Sequence, residues 1–249
     1  MHRARFRTRT GTIRCGELRD GTLHAAGRIY DPEAVDILPP SEPTKVICQA
    51  GGYVDHREES GLGDVPDRPE LFLKTPNCVI GHGDRIELPP RRETVEFEAE
   101  FAIVIGTQCR SVPASEAMDY VEGYTCVNDV SNRDDQDVER NWVRGKAFDG
   151  SLPAGPVVAT PDEVPADAAL ELRHNGKVKQ ETTREHMIFS VAELVAEVSE
   201  LITLEPGDLI ATGTPFGPDV LSDGDVVEVE FEGVGTLRNE VVAPEGEKL

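Results

Sequence analysis

The feature that most constrains this chain is an acidic segment at residues 95–106 that has the pattern of a β-strand. Apolar and acidic side chains alternate there, and β-branched residues follow before a closing glycine. Because successive side chains of a strand point to opposite faces, Glu96, Glu98 and Glu100 are predicted to share one face. The same face continues with apolar residues, which predicts that it becomes buried. Buried neighbouring carboxylates need a compensating cation, most simply a hard divalent metal; the alternative is a solvated strand face.

Length and charge limit the classes of protein to which the chain can belong. Its 249 residues suffice for one large domain, or for a main domain with a small appendage. The net charge of −22 is spread along the sequence, which argues against binding to nucleic acid or to an anionic membrane. The five cysteines are widely spaced, as in a reduced cytosolic protein. With no apolar run of membrane-spanning length, we expect a soluble, cytoplasmic protein without membrane contact.

The chain divides into two predicted regions. Residues 1–44 are predicted to form a small N-terminal β-rich subdomain, because short strand-like pieces end there in a proline-rich linker. Residues 45–249 alternate short β-like runs with Gly/Pro turns, which predicts a larger domain of mixed topology. The predicted fold class is α+β, mostly β.

Two helices are predicted within the larger domain. Apolar residues recur at helical spacing over residues 191–202, and Ser190 with Glu193 forms a capping box at the start. Pro206 and the glycine after it are predicted to stop this helix. A second, shorter helix is predicted at residues 115–120.

Three further positions carry candidate chemistry. His56 and Glu59 are three residues apart, so one helical turn would bring imidazole and carboxylate together and make the histidine more basic. A histidine near a glutamate is more often a surface pair without function. Asp129 follows an apolar strand, and Lys146 lies in a turn-rich segment. A structural ion pair is the alternative for such a lysine in a chain this acidic.

Several short motifs follow one another in an order that resembles the fumarylacetoacetate hydrolase family. The resemblance runs from about residue 45 to about residue 241. The motifs are Gly52-Tyr53 with His56 and Glu59, Pro69 with Leu71-Phe72 and Lys74, the acidic strand, Gly123-Tyr124-Thr125, Asn128-Asp129-Val130-Ser131 with Arg133-Asp134 and Gln136, Gly145-Lys146 with Phe148-Asp149, Asn175-Gly176 with Gln180, Leu204-Glu205-Pro206-Gly207-Asp208, Thr212-Gly213-Thr214-Pro215, and Gly235-Thr236-Leu237 with Asn239. The chain departs from the family at Gly52, where asparagine is usual.

The resemblance implies a mixed β-sandwich roll of the family's type and a set of site residues. It implies that three carboxylates hold Mg²⁺ or Mn²⁺, an all-oxygen donor set that suits a hard cation. Glu96 is then expected to face solvent or to lie behind the ligands. The implied metal ligands are Glu98, Glu100 and Asp129; the implied catalytic residues are His56, Glu59 and Lys146; the implied substrate-binding residues are Tyr53, Lys74, Arg133, Gln136 and Thr214.

The resemblance also implies an activity and an assembly. The expected reaction is hydrolysis of a C–C bond in a β-diketo acid, a small 2-oxo acid, through an enolate that the metal stabilises. The same site type serves isomerisation of a 2-hydroxydienoate or decarboxylation of a β-keto acid, and these stay open as alternatives. A non-catalytic metal-binding protein on the same fold is a further alternative. A homodimer is the family's usual minimum.

Overall fold

The computed structural model describes residues 1–61 and 63–243, and most of its regular structure is strand. Predictions that include residue 62 or residues 244–249 fall there outside the described residues. The strands are β1 His2–Arg7, β2 Ile13–Arg19, β3 Thr22–Ala25, β4 Arg28–Tyr30, β5 Asp36–Leu38, β6 Val46–Ala50, β7 Glu70–Lys74, β8 Val79–Ile80, β9 Arg85–Glu87, β10 Val95–Glu96, β11 Ala99–Ile105, β12 Val121–Asn128, β13 Ser131–Asn132, β14 Leu152–Ala159, β15 Ala169–His174, β16 Lys177–Thr183, β17 Leu209–Ala211, β18 Val226–Phe231 and β19 Gly235–Val242. The α-helices are α1 Val54–Glu59, α2 Arg133–Gln136, α3 Val143–Lys146 and α4 Val191–Leu201, and 3₁₀ turns cover Pro32–Ala34, Pro76–Cys78, Ala117–Tyr120, Pro161–Glu163 and Arg184–His186.

Two packed sheets make up the architecture. The large sheet has the order β4-β3-β2-β1-β14-β12-β11-β17-β6-β7, with β5 beside β1 and β8 beside β14. The second sheet has the order β16-β15-β18-β19-β9, and β10 pairs with β13 separately. Parallel and antiparallel pairs occur in both larger sheets. This mostly β, mixed arrangement confirms the predicted fold class.

The main core lies between the two sheets. Alternate residues of β11 contribute to it, among them Phe101, whose ring stacks on Phe231 of the second sheet with centroids 4.6 Å apart. Residues on the opposite face of β11, Ala102 and Val104, belong to a smaller apolar cluster. The buried strand face predicted from the alternation is therefore observed, and it continues directly into the acidic residues of the site.

The N-terminal strands join the large sheet. β1 pairs antiparallel with β14, and β5 pairs with β1. Asp208 anchors the linker that follows them, because its carboxylate accepts hydrogen bonds from the backbone N–H of Thr44 and of Lys45 and from the Thr44 hydroxyl. The division into a subdomain of residues 1–44 and a domain of residues 45–249 stays a prediction.

The helix predictions hold to different degrees. α4 ends at Leu201 and begins after Ser190, where both hydrogen bonds of the capping box with Glu193 are present. The helix predicted at residues 115–120 is wrong in type and length, since only a 3₁₀ turn at Ala117–Tyr120 forms. In the part of the chain that the structure describes, no helix is long and apolar enough to cross a bilayer.

The acidic segment is not one continuous strand, which corrects the sequence prediction. β10 ends at Glu96 and β11 begins at Ala99. Between them, side chains replace the partner strand: the N–H of Glu98 donates to Asn128 Oδ1 at 2.9 Å, and that of Ala99 donates to Gln180 Oε1 at 2.8 Å. The interruption turns the carboxylates towards a cavity rather than along a flat sheet.

Candidate active site and metal centre

A cavity of about 540 Å³ contains most of the predicted site residues. Its size falls in the usual range for pockets that bind small molecules. The end of β6, helix α1, the start of β11 and the segment from α2 to α3 contribute to its lining. The lining residues used below are His56, Glu59, Phe72, Glu96, Glu98, Glu100, Arg133, Gln136, Asp137, Trp142, Lys146, Thr214 and Pro218.

The three predicted metal ligands meet at the inner end of this cavity. Glu98 and Glu100 flank the start of β11, and Asp129 follows directly after β12. The β11–β12 register pairs Ala99 with Asn128, and the N–H of Asp129 donates to the carbonyl of Glu98 at 2.9 Å. This register brings one carboxylate oxygen from each residue within 4.8 Å of the others, and all three residues are buried.

Two cationic side chains of the cavity lining, Lys146 and Arg133, contact the inner carboxylates. Lys146 Nζ lies 2.7 Å from Glu98 Oε2 and 3.0 Å from Asp129 Oδ2, and it donates to the hydroxyl of Ser131 at 2.6 Å. Arg133 Nη2 donates to Glu98 Oε1 at 2.5 Å. Glu98 is thus compensated on both oxygens, which leaves Glu100 as the carboxylate without a cationic side chain bonded to it.

The pKa values of Glu98 and Glu100 are shifted in opposite directions. Burial alone would raise the pKa of Glu98, but the charges of Lys146 and Arg133 outweigh it and hold that pKa well below its usual range. Burial, followed by the carboxylates of Asp129 and Glu98, raises the pKa of Glu100 well above its usual range. Without a further cation, Glu100 is therefore the carboxylate of the triad whose charged form is disfavoured.

The residues present fit a hard divalent cation. The cluster offers only carboxylate oxygens, the donor type that Mg²⁺ and Mn²⁺ accept, without a thiolate or imidazole that would favour softer metals. Glu100 Oε2 accepts one hydrogen bond, from the N–H of Gly213 at 2.7 Å, and its other oxygen stays available. A bound cation would also offset the repulsion from Asp129 and Glu98 that raises the pKa of Glu100. Glu98, Glu100 and Asp129 would hold it.

Two residues predicted to bind substrate, Lys74 and Tyr53, lie outside the cavity lining, and their role stays a prediction. Lys74 does not line the cavity: its buried ammonium lies 2.8 Å from Asp129 Oδ1 and donates to the carbonyl and hydroxyl of Ser151. The two Ser151 oxygens fix the Lys74 ammonium next to Asp129. Lys74 therefore supports the Asp129 carboxylate from outside the cavity lining. Tyr53 is also buried outside the lining, and burial, then the Glu100 carboxylate, raises the pKa of its phenol.

The predicted dyad lies on α1, and both of its residues line the same cavity. His56 Nδ1 is 3.5 Å from Glu59 Oε2, so the helical turn does bring the two side chains together. The same carboxylate oxygen accepts a hydrogen bond from the N–H of Gly217 at 3.1 Å. The dyad is therefore in contact with the loop across the cavity mouth.

Arg133, Gln136 and Thr214, which were predicted to bind substrate, line the cavity. Arg133 Nη1 donates to Gln136 Oε1 at 2.7 Å, so α2 presents the pair together. The Thr214 hydroxyl accepts from Gln180 Nε2 at 2.8 Å. Gln180 therefore fixes both Thr214 and the start of β11, a positioning role that its place in a motif alone did not indicate.

Sequence reasoning assigned no role to two aromatic residues of the cavity wall. Trp142 and Phe72 both line the cavity, and their rings pack edge-to-face with centroids 5.4 Å apart. Lys146 Nζ lies 5.1 Å from the centroid of Phe72. One available signal was that Trp142, the single tryptophan of the chain, lies four residues before Lys146.

Glu96 has a different place from the one expected. It lines the cavity and accepts a hydrogen bond from Arg133 Nε at 2.7 Å. Arg133 lies between Glu96 and Glu98 and donates to both. Glu96 therefore contacts the predicted metal ligand Glu98 only through Arg133, which meets in part the expectation that it lies behind the ligands. Glu96 therefore competes for the guanidinium that was predicted to bind substrate.

Gly52, where the family usually has asparagine, packs against the backbone of the Thr214 turn. A Cβ at Gly52 would lie 2.1 Å from the carbonyl oxygen of Thr212, and one at Gly213 would lie 2.6 Å from the N–H nitrogen of Gly52. The two glycines allow the segments to approach this closely. An asparagine at Gly52 would require the segment leading into α1 to move.

Comparisons with known proteins agree with the fold. Residues 45–242 match the family model "Fumarylacetoacetate (FAA) hydrolase C-terminal". The human mitochondrial oxaloacetate tautomerase FAHD2A is 39% identical over 222 residues, which cover 84% of this chain and 70% of that protein.

Two solved structures illustrate the likeness in three dimensions. A 5-carboxymethyl-2-hydroxymuconate delta-isomerase from Mycobacterium smegmatis superposes with a TM-score of 0.90 at 37% identity, covering 98% of this chain and 99% of that one. A maleylpyruvate hydrolase from Sphingobium sp. SYK-6, in complex with manganese (II) ion and pyruvate, has a TM-score of 0.83 at 26% identity, covering 98% of this chain and 100% of that one.

These relatives include hydrolases, isomerases and a tautomerase, so they agree on an enzyme family while differing in reaction. The family model spans most of the chain, and the structural matches extend over nearly all of it. The chain therefore belongs to the fumarylacetoacetate hydrolase family.

Proposed function

We propose that the protein is a Mg²⁺- or Mn²⁺-dependent hydrolase that cleaves a C–C bond in a β-diketo acid of the acylpyruvate type. The observation that carries the proposal is that Glu98 and Glu100 of the acidic triad line one cavity together with the His56–Glu59 pair, while Asp129 lies buried beside them. A site for a hard cation and a candidate general base are the two elements that such a cleavage requires.

The part proposed for the divalent cation is that of a Lewis acid. Bound by Glu98, Glu100 and Asp129, it would act as a Lewis acid towards the 2-oxo carboxylate end of the substrate. The manganese (II) ion and pyruvate in the maleylpyruvate hydrolase complex support this choice of metal and substrate class.

The side chains of the chain would carry the proton transfers. His56, in contact with Glu59, takes a proton from water, and the hydroxide adds to the acyl carbonyl of the substrate. The C–C bond between that carbon and the neighbouring methylene then breaks, which releases a carboxylic acid and the enolate of pyruvate. The enolate carbon takes up the proton, so that water is the only reactant consumed. Lys146 stabilises the negative charge that develops on the enolate oxygen.

A panel of substrates tests the proposal. Acylpyruvates, oxaloacetate and 2-hydroxyhepta-2,4-diene-1,7-dioate are assayed with Mg²⁺, with Mn²⁺ and with EDTA. We expect metal-dependent cleavage of the acylpyruvates to be the fastest reaction. Clean ketonisation of the dienoate without any cleavage would contradict it, and no turnover of any compound would favour a non-catalytic metal-binding protein.

The His56→Ala variant tests the role of the dyad. Loss of a general base should lower acylpyruvate cleavage by about 10²- to 10⁴-fold. Decarboxylation of oxaloacetate requires no activated water, so any such activity should largely survive in His56→Ala and fall in Lys146→Ala. Equal loss of both activities in His56→Ala would contradict water activation by the dyad.

Keto–enol isomerisation is the second candidate function. The named relatives favour it, because the tautomerase and the isomerase are more similar to this chain than the maleylpyruvate hydrolase is. It would use the same cavity, with His56 moving a proton between carbon and solvent instead of activating water for attack. The substrate panel distinguishes the two reactions by product.

A further inference from the structure

More acidic than basic side chains line the cavity. Among the described lining residues, two side chains carry a permanent positive charge, Arg133 and Lys146. Five carboxyl groups face them from the same lining, those of Glu59, Glu96, Glu98, Glu100 and Asp137. Even with a divalent cation at the inner end, the cavity holds more acidic than basic groups before any substrate enters.

Both cations are already engaged by protein carboxylates. Arg133 donates to Glu96 at 2.7 Å and also to Glu98. Lys146 is 97% buried and contacts Glu98 and Asp129 on the inner wall. The 2-oxo carboxylate end of a substrate would use the inner cation and these two side chains, so neither is left for a second substrate carboxylate.

The outer part of the cavity is aromatic and acidic. Exposure rises from the buried triad to half-buried Trp142 and exposed Asp137, which places these two residues towards the mouth. Trp142 packs on Phe72, and Pro218 adds further apolar surface to the lining. Such a wall gains from contact with an uncharged group, whereas a carboxylate beside Asp137 and Glu96 would be repelled.

We infer that the cavity selects 2-oxo acids whose far end is uncharged, and that it discriminates against dicarboxylates. The inference deepens the proposed function, on which it rests, by naming the substrate class: acylpyruvates with an apolar acyl chain. Asp137 and Glu96 supply the repulsion, and Trp142 supplies the favourable contact.

The test compares two substrates of the same length. Valerylpyruvate ends in a methyl group, and glutarylpyruvate carries a carboxylate in place of that methyl. In the Mg²⁺-loaded wild type, kcat/KM should favour valerylpyruvate by on the order of tenfold or more, the effect of like charges at short range in a partly solvated site. Equal or higher kcat/KM for glutarylpyruvate would overturn the inference.

Two charge-reversal variants locate the effect. Asp137→Lys should raise the ratio of kcat/KM for glutarylpyruvate to kcat/KM for valerylpyruvate about tenfold. Asp119→Lys is the matched control, because Asp119 is exposed and outside the cavity lining while the change in net charge is the same. If both variants raise glutarylpyruvate cleavage equally, the discrimination arises from overall charge, and the assignment to the cavity wall is wrong.

A binding measurement separates this inference from the hydrolase proposal. In His56→Ala, where cleavage is blocked, fluorescence of the single tryptophan, Trp142, reports the Kd of each compound without turnover. A weaker Kd for glutarylpyruvate supports the inference whichever reaction the wild type catalyses. Equal Kd values would overturn it. Absent cleavage by the wild type, together with a preserved Kd difference, would contradict the hydrolase function alone.

Discussion

The inner and outer ends of the cavity differ in how firmly their side chains are held. At the inner end, Glu98, Asp129 and Lys146 are buried and linked by ion pairs of 2.7–3.0 Å. At the outer end, His56 and Glu59 are 3.5 Å apart on a six-residue helix. The buried ion pairs suit metal binding, which every reaction in the family's range can use, whereas the longer His56–Glu59 contact is where the reactions can differ. The predictions below test this difference, from the largest expected effect to the smallest.

The first prediction concerns the inner end alone. Glu100→Gln should lower Mg²⁺ affinity by more than about 100-fold in calorimetry, because an uncharged amide replaces an anionic ligand. The same change should not lower the free energy of unfolding of the metal-free protein, since burial and the neighbouring carboxylates already disfavour the charged form of Glu100 there. Undiminished Mg²⁺ affinity would exclude Glu100 as a ligand.

The second prediction tests whether Lys74 supports the inner end. Lys74→Met should destabilise the fold by about 3 kcal/mol in urea denaturation, because it removes a buried partner of Asp129. Lys45→Met is a matched control at a more exposed ion pair, with Asp208, and should cost only about 1 kcal/mol. Similar losses in both variants would contradict a special role for Lys74.

The structure also changes the expectation for Asp129→Ala. From the sequence alone, this variant would remove a metal ligand and relieve repulsion between carboxylates. In the structure, Asp129 contacts the ammonium groups of both Lys74 and Lys146. Its removal should therefore cost stability as well as metal affinity, which makes Glu100→Gln the cleaner test of metal binding.

The third prediction concerns pH. The raised pKa of Glu100 means that the folded chain keeps a proton that the unfolded chain loses above about pH 4.5. Metal-free stability should therefore fall by about 1.4 kcal/mol per pH unit above that point, until the raised pKa is passed. Glu98 acts in the opposite direction: its lowered pKa contributes stability that is lost only as the pH falls below about 4.5. Urea denaturation in EDTA should show the first slope in the wild type and its absence in Glu100→Gln; equal slopes would contradict the assignment.

The fourth prediction concerns the outer end. Gly217 has φ of +101°, and a Cβ there would lie 2.7 Å from the carbonyl oxygen of Lys179, so Gly217→Ala should displace the N–H that holds Glu59. We expect kcat/KM to fall about fivefold, with Mg²⁺ affinity unchanged, because one neutral-to-charged hydrogen bond is lost.

Gly224→Ala is the control for that variant. Gly224 also has a positive φ, of +84°, but a Cβ there would have no neighbour within 4 Å. A similar loss of activity in both variants would attribute the effect to backbone strain, and the proposed contact between the loop and α1 would then have no role in catalysis.

Much of the inner site was predictable because its signals are local. Alternation along one segment placed Glu98 and Glu100 together, and the apolar run before Asp129 placed that residue at a strand end. The capping box of Ser190 with Glu193 likewise involves residues three positions apart. In each case the interacting groups are neighbours in sequence, so their geometry follows from strand or helix periodicity.

The sequence by itself therefore determined the mostly β fold class, the acidic strand face, the helix at α4 and the pairing of His56 with Glu59. Only the tertiary structure decided that Gln180, 81 residues away, interrupts the strand before Ala99, and that Lys74 lies behind Asp129 rather than in the cavity. These outcomes depend on strand register and on which buried donors and acceptors find partners across the sheets. Such long-range pairing is set by the packing of the whole domain, and no local period encodes it.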